Sequence, residues 1–147
     1  MKDHRPILVV TSEPPTRQEI VDRLSAQGFR AVAVERGSDA LLAVAENSIC
    51  LVVLDLSVQE PSGARTFEIL RKMRPRLPVI VLSGDPSVET GRQILQLGVF
   101  YYLLKPLNLE ELDQVVRLGL ALGKRLGAGM DEGAPTKGVR GEKGALP

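Results

Sequence analysis

A carboxylate, an ammonium and several hydroxyls stand at the ends of apolar runs in this 147-residue sequence. Cys50-Leu51-Val52-Val53-Leu54 stops at Asp55, and Val79-Ile80-Val81-Leu82 stops at Ser83-Gly84. Phe100-Tyr101-Tyr102-Leu103-Leu104 stops at Lys105-Pro106, and Ile7-Leu8-Val9-Val10 stops at Thr11-Ser12. A carboxylate can act as a nucleophile, while a hydroxyl and an ammonium can hold the oxygens of a phosphoryl group as its charge moves. Singly, each of these residues would be an ordinary strand-end cap. Set at the ends of successive strands, they make a site.

The elements that must carry them follow from pattern. The runs are short, rich in β-branched residues and without helical period, as expected of strands buried on both faces of a parallel sheet. Between them lie amphipathic segments. Thr16 with Glu19 reads as a capping box after a Pro14-Pro15 break, opening a helix with Ile20, Val21 and Leu24 on one face and Gly28 at its C′ position. Residues 31–34, Ala-Val-Ala-Val, form a second strand, and Gly37-Ser38 opens a helix that ends at Asn47-Ser48. Gly63 leads into a helix with Phe67, Leu70 and Met73; Arg71, Lys72, Arg74 and Arg76 form a solvated basic end that suits the helix dipole. Asp85-Pro86 starts a helix with Val88, Ile94, Leu95 and Leu97, weakened by Gly91. Asn108 and Glu111 cap the last helix, which runs to about Arg125 with Leu112, Val115, Val116, Gly119 and Gly123 towards the sheet. Five βα units in alternation mean a three-layer, doubly wound α/β fold with strand 2 at an edge and the polar strand ends gathered at one rim.

Composition narrows the rest. One domain is expected over residues 1–125, with a glycine-rich, disordered tail over 126–147. A net charge of +1 and 3% aromatic content, with no basic run, argue against a nucleic-acid partner. No run reaches membrane-spanning length and the N-terminus lacks the form of a signal peptide, so the expectation is a cytoplasmic protein without a membrane partner. The single Cys50 reads as a buried, reduced thiol. Thr11-Ser12-Glu13-Pro14-Pro15 is no glycine-rich phosphate loop, which weakens any reading as a flavodoxin-like cofactor enzyme.

Residues 6 to about 125 resemble the receiver domain of bacterial response regulators. The resemblance rests on Ile7-Leu8-Val9-Val10, on Leu54-Asp55 with Gly63 eight residues later, on Val81-Leu82-Ser83-Gly84 and on Leu104-Lys105-Pro106. It implies a flavodoxin-like (βα)5 fold with strand order 2-1-3-4-5 and a role in phosphorelay signalling rather than an enzyme. It makes Asp55 the phosphoacceptor, Ser83 the hydroxyl that senses the acyl phosphate, Lys105 the partner of a phosphoryl oxygen, and Lys105-Pro106 a cis peptide. Tyr102 takes the place of the switch aromatic, and the Ser57 carbonyl that of a metal ligand. A histidine kinase or phosphotransfer protein would be the donor. A downstream protein would take the output, and a homodimer would form through residues 86–125, where Leu118 and Leu120 flank the last helix.

The sequence departs from the family at the first strand. Receivers usually place two acidic residues there to organise Mg²⁺; this chain has Thr11 and Ser12. Mg²⁺ takes octahedral oxygen ligands, usually with carboxylates among them. At about 4 Å and an effective dielectric near 20, each missing carboxylate removes roughly 8 kcal/mol of raw attraction to a dication, before desolvation cancels much of it. Mg²⁺ binding is therefore expected to be weak or absent, and Asp55 to ionise more readily than in a typical receiver. Glu13 is expected to point away from the rim. Gln59 stands where the family commonly has proline, with Pro61 two residues later, so the loop after Asp55 is expected to run differently. The alternative reading is an interaction module of the same fold that works without phosphorylation.

Overall fold

The computed structural model describes residues 4–84, 94, 96, 98 and 100–130, with side chains as far as residue 123. The elements are β1 (Ile7–Val10), α1 (Pro14–Ala26), β2 (Ala31–Val34), α2 (Gly37–Glu46), β3 (Leu51–Asp55), α3 (Gly63–Met73), β4 (Val79–Ser83), β5 (Tyr101–Leu104) and α4 (Leu109–Met130). The strands form one parallel sheet in the order β2-β1-β3-β4-β5, so β5 closes the edge opposite β2.

The alternation along each strand decides which helix covers it. Leu8, Val10, Val52, Leu54, Val79 and Val81 join Ala40 and Val44 of α2 and Phe67 and Leu70 of α3 in one core cluster. Ile7, Val9, Leu51, Val53, Ile80, Leu82 and Leu103 join Ile20 and Leu24 of α1 and Leu112, Val115 and Val116 of α4 in the other. Both faces of the central strands are thus dry, and burial of each such side chain contributes about 1.5–3 kcal/mol. On α4, Gly119 sits so close to Leu51 and Phe100 that a methyl group there would force them apart, which explains a small residue on the sheet-facing side. Leu120 packs partly against this cluster, whereas Leu118 is exposed. Cys50, just ahead of β3, is buried, with its thiol directed at the carbonyls of Arg5 and Pro6.

Helix ends correct the sequence reading in three places. The first helix begins at Pro14, not Thr16: Glu13 is the N-cap residue and the prolines occupy the first helical turn. Proline is at home there because its missing N–H would be unpaired anyway and its φ is already helical. Thr16 hydrogen-bonds the Glu13 side chain in place of the expected capping box. The expected C-terminus of α1 does form: Gly28 has φ 88°, and the N–H groups of Gly28 and Phe29 close on Ser25 and Leu24. The last helix continues to Met130, past the point where the glycine-rich composition begins. The third correction concerns Arg71. Its Nη1 donates to the carbonyls of Arg74, Pro75 and Leu77, and its guanidinium lies 5.4 Å from the Phe67 ring centroid. It clamps the turn between α3 and β4 instead of extending into solvent.

The helix expected after Asp85-Pro86, apart from isolated positions such as the buried Ile94, lies outside the described residues, as does the tail from 131 onwards. Most of the expected pairing surface from residue 86 to the start of β5 lies outside them too.

Candidate functional site

Strand parity sorts the polar residues at the rim. Thr11, Asp55 and Lys105 continue the alternation of Val9, Val53 and Leu103, which belong to the α1/α4 side. Ser83 continues the alternation of Val79 and Val81, and Tyr102 pairs in register with Val81, so both belong to the α2/α3 side. The first three meet. Thr11 Oγ1 donates to Asp55 Oδ2 at 2.9 Å and Lys105 Nζ to the same oxygen at 2.8 Å. The other oxygen, Oδ1, accepts the Ser57 amide at 3.0 Å and the Ser57 hydroxyl at 2.9 Å.

Asp55 is only 1% exposed, so its charge depends wholly on these donors. Burial pushes its pKa up, but the hydrogen bonds from Lys105, from the Ser57 amide and hydroxyl and from Thr11 together outweigh it, and the carboxyl lies below the ordinary aspartate value. For Lys105, burial works to lower the pKa, and the Asp55 and Glu13 carboxylates more than reverse this. The cause that lowers the carboxyl here is the set of four convergent donors; the expected contrast with typical receivers, which rests on missing like-charge repulsion, is a separate matter.

Ser83 is buried at the end of β4, and its carbonyl accepts the Lys105 amide at 2.9 Å, which fixes where the lysine leaves the sheet. Tyr102 is partly buried against the α2/α3 cluster. Lys105-Pro106 is cis. Gly63 packs so tightly on the backbone of Leu56 that a Cβ there would overlap it, which explains a glycine eight residues after Asp55.

Glu13 was misplaced by the sequence reading. With the prolines inside α1, its side chain turns back over the rim and Oε1 lies 3.2 Å from Lys105 Nζ. The Thr16 hydroxyl donates to the same oxygen at 2.9 Å, and the Glu13 amide donates to Thr11 Oγ1 at 3.2 Å. Pro14-Pro15 was the available signal: proline in a first turn puts the preceding residue at the cap. Ser12, by contrast, is exposed.

The loop after Asp55 takes its own course. Glu60-Pro61 is cis and Glu60 has φ 60°. The carbonyls of Gln59 and Glu60 accept the first amides of α2, from Gly37 and Ser38, at 3.0 and 2.8 Å. That loop thereby caps α2, whose own N-cap residue, Arg36, makes no side-chain bond to the helix's first amides. The Ser57 carbonyl accepts the Gln59 side-chain amide at 3.3 Å.

These atoms offer little to a divalent cation. Both Asp55 oxygens already accept two donors each, the Ser57 carbonyl is engaged, and the second nearby carboxylate stands across an ammonium. Among the described residues no three His, Cys, Asp or Glu side chains cluster as a metal site would require.

Comparison with known proteins decides the family: residues 7–117 match the response regulator receiver domain. The chain belongs to that family. Over 115 residues it is 30% identical to the transcriptional regulatory protein GlrR of Escherichia coli (strain K12), a match covering 77% of this chain and 26% of that protein. A response regulator receiver protein from Pseudomonas putida, 31% identical, aligns with a TM-score of 0.75 over 80% of this chain and 99% of that one. A CheY-like receiver from Methanospirillum hungatei JF-1 shares the fold, with a TM-score of 0.79 at 20% identity over 84% of this chain and 98% of its own. The chain spans about a quarter of the length of the curated relatives it matches. It is a receiver domain of two-component signalling, and receiver domains are signalling modules that work with histidine kinases or phosphotransfer proteins and in general bind Mg²⁺. No helix among the described residues is long and apolar enough to cross a membrane.

Proposed function

We propose that Asp55 of this receiver accepts a phosphoryl group from a phosphohistidine of a kinase or phosphotransfer protein. A carboxylate oxygen bonds to phosphorus as the phosphorus–nitrogen bond breaks, and the electron pair leaves with the imidazole. Lys105 then passes from the carboxylate oxygen to a phosphoryl oxygen, and the Thr11 and Ser57 donors steady what remains of the aspartate. Ser83 and Tyr102, on the other parity of the sheet, carry the change outward to a protein partner. The observation that supports this most is the buried, ionised Asp55 with Lys105 at 2.8 Å on the carboxyl edge of the sheet.

The donor set does not fit a resident divalent cation, and we propose that Mg²⁺ binds this domain weakly. Uptake then depends on the protein's own cation and hydroxyls. The saturation of Asp55 by four donors is also what favours the second reading, an interaction module that works without phosphorylation. We propose a cytoplasmic location, which the single free Cys50 and the kinase partnership support. A homodimer through the β5 and α4 surface is a further proposal; Tyr101, Leu104 and Leu118 there are exposed.

Titration with beryllofluoride, a phosphoryl stand-in, followed by amide NMR tests the phosphoacceptor. Saturable shifts at Asp55, Ser83 and Lys105 that vanish in Asp55→Asn are expected. Unchanged spectra at millimolar beryllofluoride and Mg²⁺, in the wild type and in Glu13→Gln alike, would favour the second reading.

A further inference from the structure

Lys105 is held by two carboxylates, not one. Asp55 Oδ2 lies at 2.8 Å on one side of the ammonium and Glu13 Oε1 at 3.2 Å on the other. The Glu13 side chain is 47% exposed, whereas that of Asp55 is 1% exposed, so Glu13 is the partner that can leave. It is also steadied: Thr16 donates to the same Oε1, and the Glu13 amide is tied to Thr11 Oγ1. The prolines that follow it remove two amide donors from the first turn of α1, so the helix start adds little to hold an incoming anion.

We propose that Glu13 is a built-in competitor for the phosphoryl position, occupying on Lys105 the place that a phosphoryl oxygen must take. The inference rests on the assignment of Asp55 as acceptor. A phosphoryl group on Asp55 brings up to two negative charges to an ammonium already shared with Glu13, in a rim where Lys105 is the one charged side chain bonded to Asp55 among the described residues. Like charges at such range oppose each other strongly where water is scarce. Uptake therefore requires Glu13 to swing away from Lys105 into solvent. Glu13 is a positioning residue in this scheme: it acts through Lys105 and sets how readily the site takes a phosphoryl group.

The test is beryllofluoride affinity of the wild-type chain, Glu13→Gln, Thr16→Val and Glu13→Gln/Asp55→Asn, with and without Mg²⁺, read from the amide signals of residues 55, 57 and 105. Glu13→Gln keeps the size of the side chain and removes its charge. It should bind about tenfold more tightly, the equivalent of about 1.4 kcal/mol. Thr16→Val, which frees Glu13 without removing it, should shift affinity the same way by less. Loss of a merely structural contact would weaken binding, so a gain in both variants separates the two. Binding by Glu13→Gln alone, abolished in the double variant, would support the proposal equally. Wild-type binding with Glu13→Gln equal or weaker would overturn it and leave Asp55 as acceptor. A loss confined to Mg²⁺-containing samples would overturn it in favour of Glu13 as a cation ligand. No binding by any variant would overturn the Asp55 assignment and the competitor with it.

Discussion

Two of the charges drawn out of water, Asp55 and Arg71, are handled in opposite ways. Asp55 meets an ammonium, two hydroxyls and an amide, and its carboxyl is held below its ordinary pKa. The Arg71 guanidinium faces three neutral backbone carbonyls and an aromatic ring; burial pushes its pKa down to about 10, and its Nε has no hydrogen-bond partner among the described residues. Arg71 remains charged at neutral pH, but among the described residues no carboxylate pairs with it to repay its desolvation. Its partners are main-chain groups that cannot move without unfolding the turn. The partners of Asp55 are side chains that can rotate to a new oxygen. A charge fixed by backbone is an anchor, whereas one fixed by mobile donors can change its chemistry.

The largest break in this comparison comes from Arg71→Met. It leaves the carbonyls of residues 74, 75 and 77 without their donor and should cost about 3 kcal/mol in urea denaturation, with beryllofluoride binding intact. Asp55→Asn should reverse the pattern, abolishing beryllofluoride binding while destabilising the fold by about 2 kcal/mol. The amide can accept from Ser57, but its NH₂ then faces the Thr11 and Lys105 donors. A stabilised Asp55→Asn protein would mean that the donors do not repay the burial of the carboxylate.

Acid sharpens the same contrast. The folded pKa of Asp55 is depressed, so its contribution is complete above the unfolded value of about 3.9 and is lost as pH falls through the folded pKa. The stability gap between wild type and Asp55→Asn should therefore close below about pH 4. Arg71→Met should keep its deficit across that range, because the guanidinium does not titrate there. The Lys105 pKa is raised, so its contribution is complete below the unfolded value of about 10.4 and is lost only as pH rises through the folded one.

The smallest effect is expected at Ser62, whose Oγ accepts the Arg65 amide at 3.2 Å and caps α3 between the two charged centres. Ser62→Ala should cost about 1 kcal/mol in the same denaturation assay and leave beryllofluoride affinity unchanged. A change in affinity would show that the loop after Asp55 and the start of α3 respond as one unit with the acceptor.

Run endings and alternation are properties of the chain alone. They were enough to place Asp55, Thr11 and Lys105 on one rim, to put helices on both faces of the sheet and to seat Gly28 at the end of α1, because strand period and turn chemistry act over a few residues. Partners across elements are another matter. Glu13 reaches Lys105 across 92 positions, and it does so because two prolines set the entry angle of α1 over the rim. The Ser57 hydroxyl turns onto Asp55, Gln59 onto the Ser57 carbonyl, and the loop carbonyls onto α2 only once the loop has packed. Arg71 resembles its basic neighbours in composition and differs from them in where its head comes to rest. Each of these depends on the distance between groups that sequence order does not encode, and hydrogen bonds lose their strength within a few tenths of an ångström; packing alone sets distances that finely.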